Sequence, residues 1–203
     1  MRLGLTGTVG AGKSTVAALL RARGAAVIDA DALARDATHD PAVLADVAAH
    51  LGPDLVRSGP AGPTLDRAAT AARVFEDPAA RARLEAIVHP RVRAAAAAER
   101  AALAARATPP EVVVEDVPLL FETGLDAEMD VTVVVDAPFE VRAARLAERA
   151  GLDAAAVRAR DAAQWPAAEK RAAADHVIVN DGDLDALEAR VEALWRTLSA
   201  AAR

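Results

Sequence analysis

The sequence predicts an α/β fold: a five-stranded, mostly parallel sheet flanked by helices, with a helical insertion and a later charged helical segment. Three observations lead there. Residues 1–31 read as strand, glycine-rich loop, helix and strand. Three further valine-rich runs, at 111–115, 131–135 and 177–179, are separated by helical patterns too long for hairpins. Between the first unit and the later strands, residues 32–108 carry helical periodicity and no run of β-branched residues.

Taken in order, residues 2–6 (RLGLT) form a short buried strand running into glycine. From Lys13 to Arg23 the apolar residues Val16, Leu19 and Leu20 share one helical face, and Gly24 is a natural stop. Residues 25–28 (AAVI) make the second strand, which ends at Asp29-Ala30-Asp31. The insertion has helical patterns from Leu33 onward and over 43–51, 68–75 and 79–107. Residues 52–63, with three glycines and three prolines, read as a loop. Pro109-Pro110 breaks the last of these helices. Residues 139–150 are helical, and 151–174 are charged, alanine-rich and interrupted near Trp165-Pro166. The final stretch places Leu184, Leu187, Val191, Leu194, Trp195 and Leu198 on one face of a terminal helix. The organisation expected is a core of residues 1–31, 109–140 and 175–203, an insertion of 32–108 and a helical segment of 141–174.

Composition narrows the function. The 203 residues include no cysteine, which excludes disulfide scaffolds, iron–sulfur clusters and thiol nucleophiles. Aromatic residues are 2%, too few for the stacking platforms of single-stranded nucleic-acid binding, and the net charge of −6 disfavours nucleic acid and anionic membranes. No apolar run is long enough to span a membrane and the amino terminus does not read as a signal peptide, so a cytoplasmic protein is expected. Alanine accounts for 56 residues, so the 53% hydrophobic share overstates the core. Of the 24 basic residues only Lys13 and Lys170 are lysine, which singles them out.

The chemistry is carried by Gly7-Thr8-Val9-Gly10-Ala11-Gly12-Lys13-Ser14, a full match to G-x-x-x-x-G-K-[ST] between a strand and a helix. Such a loop turns its backbone N–H groups inward onto phosphate oxygens, and the helix N-terminus adds partial positive charge. This makes the core a P-loop NTPase core. Gly10, Ala11, Gly12 and Thr15 belong to the cradle, Lys13 reaches the β- and γ-phosphates, and Ser14 ligates Mg²⁺. No aspartate has glycine three places on and the single asparagine, Asn180, is not followed by lysine, so a switch GTPase is disfavoured. A small kinase fits the length. Asp31, beyond the end of the second strand, can orient an attacking hydroxyl, accept its proton or hold Mg²⁺ through water. Arg145 and Arg149, four apart on one helical face, can clamp phosphates and neutralise transferring charge, with Arg142 a weaker candidate.

The segments GLTGTVGAGKST, VIDADALAR (27–35), IVHP (87–90), EDVPLLFETG (115–124), the arginine-rich 142–149 and ADHVIVNDG (174–182) together resemble bacterial dephospho-CoA kinases, in that family's order and spacing. The resemblance covers about residues 1–185; Thr8 departs from a common glycine at a free loop position. It implies ATP-dependent phosphorylation of the ribose 3′-hydroxyl of dephospho-CoA, a CoA-binding role for the insertion, and a closing lid. It places His89, with Pro90, near the acceptor and the adenine of ATP near Asn180 and Gly182. Arg35 is a candidate for the acceptor's phosphates, and Leu119 and Leu120 for the pocket wall or for core. Glu122 can orient an arginine, and Asp116 can assist Mg²⁺. The expected partners are ATP and dephospho-CoA, with no nucleic acid, membrane or obligate protein partner. Two alternatives stay open: a kinase for another nucleoside or nucleotide, and a nucleotide-dependent regulatory module.

Overall fold

The computed structural model describes residues 1–60 and 62–202. The chain divides into two compact units, residues 1–29 with 103–203, and residues 30–102. No helix among the described residues is long and apolar enough to cross a membrane.

The first unit opens with β1 (Arg2–Gly7), α1 (Lys13–Ala22) and β2 (Ala26–Asp29). The second unit follows with α2 (Ala30–Ala37), α3 (Pro41–His50), β3 (Val56–Gly59), β4 (Gly62–Leu65), α4 (Arg67–Glu76) and most of α5 (Pro78–Ala104). The chain then adds β5 (Val113–Asp116), β6 (Val131–Asp136), α6 (Phe139–Ala150), α7 (Ala154–Asp161), α8 (Ala167–Ala173), β7 (His176–Val179) and α9 (Leu184–Ala201).

In the first unit the strands form one sheet in the order β2-β5-β1-β6-β7, with every pairing parallel. The central strand explains the composition: Leu3, Gly4, Leu5, Thr6 and Gly7 are all buried, as a parallel strand covered on both faces must be. One face packs Leu3, Leu5, Val112, Val114, Val133, Val135 and Ile178 against Val16 and Leu20 of α1 and against α9. Helix α9 turns Leu187, Val191, Leu194 and Leu198 inward, and Asp183 caps it by accepting from the Ala186 N–H at 2.9 Å. Asp175 joins β7 to β6: its carboxylate accepts from Thr132 N and Oγ1, both at 2.8 Å. Those bonds hold its pKa below the usual carboxylate range.

Because the strands run in one direction, their carboxyl ends share one rim of the sheet. The register sets Asp29 beside Asp116, Gly7 beside Val135, and Asp136 beside Val179. That rim receives the glycine loop, three acidic strand ends and Asn180.

The second unit is built on Val43, Val47, Leu51 and Leu55, with Val56, Leu65, Leu84, Ile87 and Val88 packed against them. Asp40 and Asp66 cap α3 and α4 by accepting from Ala42 N and Ala69 N. The expectation of a helical insertion with a loop and no strands is corrected here. Across the stretch read as loop and just beyond it, β3 and β4 pair as an antiparallel hairpin, with Val56 opposite Leu65 and Gly59 opposite Gly62 (Ala61 lies outside the described residues). The four-residue strands contain glycine and proline and lack alternation. Their pairing follows from closing Val56 and Leu65 over the helical cluster, which local sequence does not reveal.

Candidate active site

The glycine loop leaves β1 at Gly7 and enters α1 at Lys13. Its turn needs positive φ at Gly10 (78°) and Gly12 (96°). The Ala11 N–H donates to the Thr8 carbonyl at 3.1 Å, and Thr15 and Val16 donate to the Gly12 carbonyl at 3.0 and 3.1 Å to start the helix. No side chain caps α1, which leaves its leading N–H groups directed at an anion site. Ser14 is exposed in that first turn and Thr15 is half-buried, whereas Ala11 is fully buried.

The Lys13 ammonium forms an ion pair with Asp116 at the end of β5. The pair sets one cation and one carboxylate side by side at the mouth of the glycine loop. Two residues on, the Pro118 carbonyl accepts from Thr6 Oγ1 at 3.0 Å, tying the 118–122 turn to the central strand.

The opposite side of the loop is held by residues far away in sequence. The buried Asn180 amide donates to the Ala11 carbonyl at 2.8 Å, and its own N–H donates to the Asp136 carbonyl at 2.7 Å. Arg145 then donates to the Asn180 carbonyl at 3.1 Å and to its Oδ1 at 3.3 Å. A Cβ added at Gly12 would overlap Asn180 Nδ2, so glycine is required there twice over. One turn before Arg145, Arg142 is 4% exposed. It donates to the Val9 carbonyl at 3.0 Å and the Ala137 carbonyl at 3.1 Å, and makes a two-pronged pair with Asp161 of α7 at 2.9 and 2.7 Å. Beside Asn180, the Arg190 guanidinium pairs with Asp181 and holds its carboxyl below the usual range.

The structure therefore brings together Gly10, Ala11, Gly12, Lys13, Arg145 and Asn180. Arg149 is exposed in the last turn of α6, outside the Asn180 network, and Gly182 is exposed two residues after Asn180. Asn180 was expected at the adenine of ATP; its amide is directed at the phosphate loop. Leu119 is half-buried, but Leu120 is fully buried and lies against Gly4 of β1. Leu120 is thus core, not pocket wall, because the turn points alternate leucines inward and outward. In the second unit, Asp31 and Arg35 are exposed on α2, four residues apart on one face, and His89 is half-buried on α5.

Sequence reasoning made Arg142 the weaker candidate beside Arg145 and Arg149 and gave Lys170 nothing beyond its rarity; it assigned neither a structural role. Arg142 has four hydrogen bonds, and Lys170 is fully buried against Glu122, which holds this lysine where an arginine was expected. The scarcity of lysine was the one signal for Lys170; nothing local distinguished Arg142 among 22 arginines.

The family model described as dephospho-CoA kinase matches residues 1–186. A dephospho-CoA kinase of Deinococcus radiodurans is 53% identical over 197 residues, 97% of this chain and 92% of its own length. A Thermus thermophilus protein of known crystal structure is 41% identical with a TM-score of 0.82, over 98% of this chain and 97% of that one. The dephospho-CoA kinase of Campylobacter jejuni, 22% identical, shares the fold with a TM-score of 0.71 over 100% of this chain and 98% of its own.

Proposed function

Because this chain belongs to the dephospho-CoA kinase family, we infer that its phosphate loop and strand-end residues carry that family's reaction. It transfers the γ-phosphoryl group of ATP to the ribose 3′-hydroxyl of dephospho-CoA, giving CoA and ADP, the last step of coenzyme A biosynthesis. The single observation that carries the residue assignment is the clustering of Lys13, Asp116, Arg145 and Asn180 around the glycine loop at the carboxyl rim of the sheet.

Phosphoryl transfer asks little covalent chemistry of the protein; it asks for position and compensating charge. The loop N–H groups and Lys13 hold the phosphates. Arg145, aimed at the loop through Asn180, supplies positive charge on its far side, and Arg149 joins it when residues 141–174 act as a lid. Mg²⁺ fits the donors present: the exposed Ser14 hydroxyl and the Asp116 carboxylate suit an ion that takes few protein ligands and keeps water and phosphate oxygens. When bound, it would neutralise charge on the β- and γ-phosphates. Among the described residues no cluster of three or more histidines and carboxylates offers an all-protein metal cage. Asp31 orients the 3′-hydroxyl and takes its proton, two residues beyond the strand end that pairs with Asp116. Arg35, His89 and Leu119 serve the acceptor, and the 32–108 segment is the CoA-binding part.

The test is ADP release from Mg²⁺-ATP with dephospho-CoA, adenosine, AMP, cytidine or no acceptor, with product mass checked for one added phosphate. Turnover confined to dephospho-CoA is expected, with Asp31→Asn lowering kcat by about 100-fold or more. Turnover with another acceptor, or hydrolysis indifferent to acceptor, overturns the assignment.

A further inference from the structure

Lysine occurs twice in the chain, and both lysines converge on one short segment. Lys13 pairs with Asp116, the last residue of β5. Lys170, on α8, is 0% exposed, and its ammonium donates to the Pro118 carbonyl at 2.9 Å and pairs with Glu122 Oε1 at 2.9 Å. The same Glu122 oxygen accepts from the Trp165 N–H at 2.7 Å. The Phe121 and Trp165 rings stack beside it, with centroids 5.9 Å apart and planes 16° apart. The Pro118 carbonyl is shared between Lys170 and Thr6 of β1. One buried ammonium thus ties the 165–170 segment to the turn that follows β5, and through it to the central strand.

Such an arrangement is a poor way to gain stability alone. A fully buried ammonium gives up its hydration, and a buried ion pair is often replaceable by apolar side chains with no net loss. A salt bridge does fix direction and distance where packed methyl groups allow sliding. Lys170 cannot touch substrate, being fully buried. The groups it places are accessible: half-buried Leu119 lies between the two carbonyl and carboxylate partners it grips. The phosphate loop does not depend on it, because Asp116 is held in the β5 ladder and the loop is tied by Asn180 and Arg142.

We propose that Lys170 is a positioning residue that, through Glu122 and the Pro118 carbonyl, locks the 118–122 turn to the lid segment and so sets the acceptor side of the reaction while leaving ATP binding alone. This rests on the kinase reading above, which predicts the acceptor but not the split. The experiment compares wild type, Glu122→Gln, Lys170→Met and the apolar pair Lys170→Met/Glu122→Leu. Melting temperature, kcat, and KM for ATP and dephospho-CoA are measured separately. In the apolar pair the melting temperature returns to near the wild-type value, while kcat/KM for dephospho-CoA stays about 10- to 100-fold down and KM for ATP moves less than about twofold. Glu122→Gln, which keeps an oxygen for Trp165, shows the same acceptor-side loss in milder form. Recovery of kcat/KM together with melting temperature in the apolar pair overturns the proposal. So does a Glu122→Gln variant with lowered melting temperature and unchanged acceptor kinetics, and that variant decides if the pair does not fold. Wild type run alongside separates the two claims: without dephospho-CoA turnover there, it is the kinase reading that fails.

Discussion

Removing the Arg142 guanidinium should loosen both the fold and the phosphate loop, and the size of the effect follows from its partners. In Arg142→Met the side chain keeps most of its volume, so the loss is mainly polar. The Val9 and Ala137 carbonyls each lose a donor, and Asp161 loses both prongs of its pair. Each stranded carbonyl costs about 1 kcal/mol. Breaking a buried ion pair by removing one partner costs about 3–5 kcal/mol, but the Asp161 side chain is 26% exposed and recovers hydration, which puts its share near the low end. A total of about 5 kcal/mol lowers the melting temperature of a chain this size by about 10–20 °C. Arg142→Met/Asp161→Leu removes the stranded carboxylate and should regain a third or so of that loss. Because Val9 belongs to the loop, KM for ATP should rise in both variants. The assay is thermal unfolding by circular dichroism, with ATP kinetics on the same preparations. A single variant that melts within about 2 °C of wild type would refute the reasoning, since it would mean those four bonds carry no net weight.

Two further outcomes are expected. Gly12→Ala should lower ATP affinity by about 10- to 100-fold, since alanine costs about 1–2 kcal/mol at φ 96° and its methyl displaces the Asn180 amide from the Ala11 carbonyl; nucleotide titration within threefold of wild type would contradict this. Asp175→Asn should open a small melting-temperature gap to wild type, about 2–4 °C at neutral pH, because the carboxylate is largely exposed. Its folded pKa is lowered by the Thr132 bonds, so its stabilisation is complete above the unfolded value of ~3.9 and is lost as pH falls through the folded value. The gap should therefore close in acid, and a gap constant from neutral to acidic pH would count against the account.

Much of the sheet was legible because each strand carries its own signal. The runs at 131–135 and 177–179 are β-branched and bounded by Asp136 and Asn180-Asp181-Gly182, and they became β6 and β7 within a residue. The helix expected over 139–150 is α6 to the residue. The hairpin at 56–65 was not legible, because its glycines and prolines are also what a loop contains and only packing on Leu55 and its neighbours decides between them. In the site, Gly10, Gly12, Lys13 and Ser14 could be read from spacing alone. Leu119 and Leu120 could not be separated, because which one faces inward depends on Gly4 of a strand more than a hundred residues earlier.

The sequence by itself determined the order of strands and helices in the first unit, the parallel sense of its sheet and the anion-binding loop. These follow from periodicity, turn residues and a motif whose parts are neighbours in the chain. Tertiary structure alone decided which side chains steady that loop. Asn180 and Ala11 are 169 residues apart, and Arg142 and Val9 are 133 apart. They meet only because β1 sits at the centre of the sheet, with β5 on one side and β6 and β7 on the other. A hydrogen bond is set by distance and direction in space, and no local pattern in the chain records which strand will become the neighbour of which.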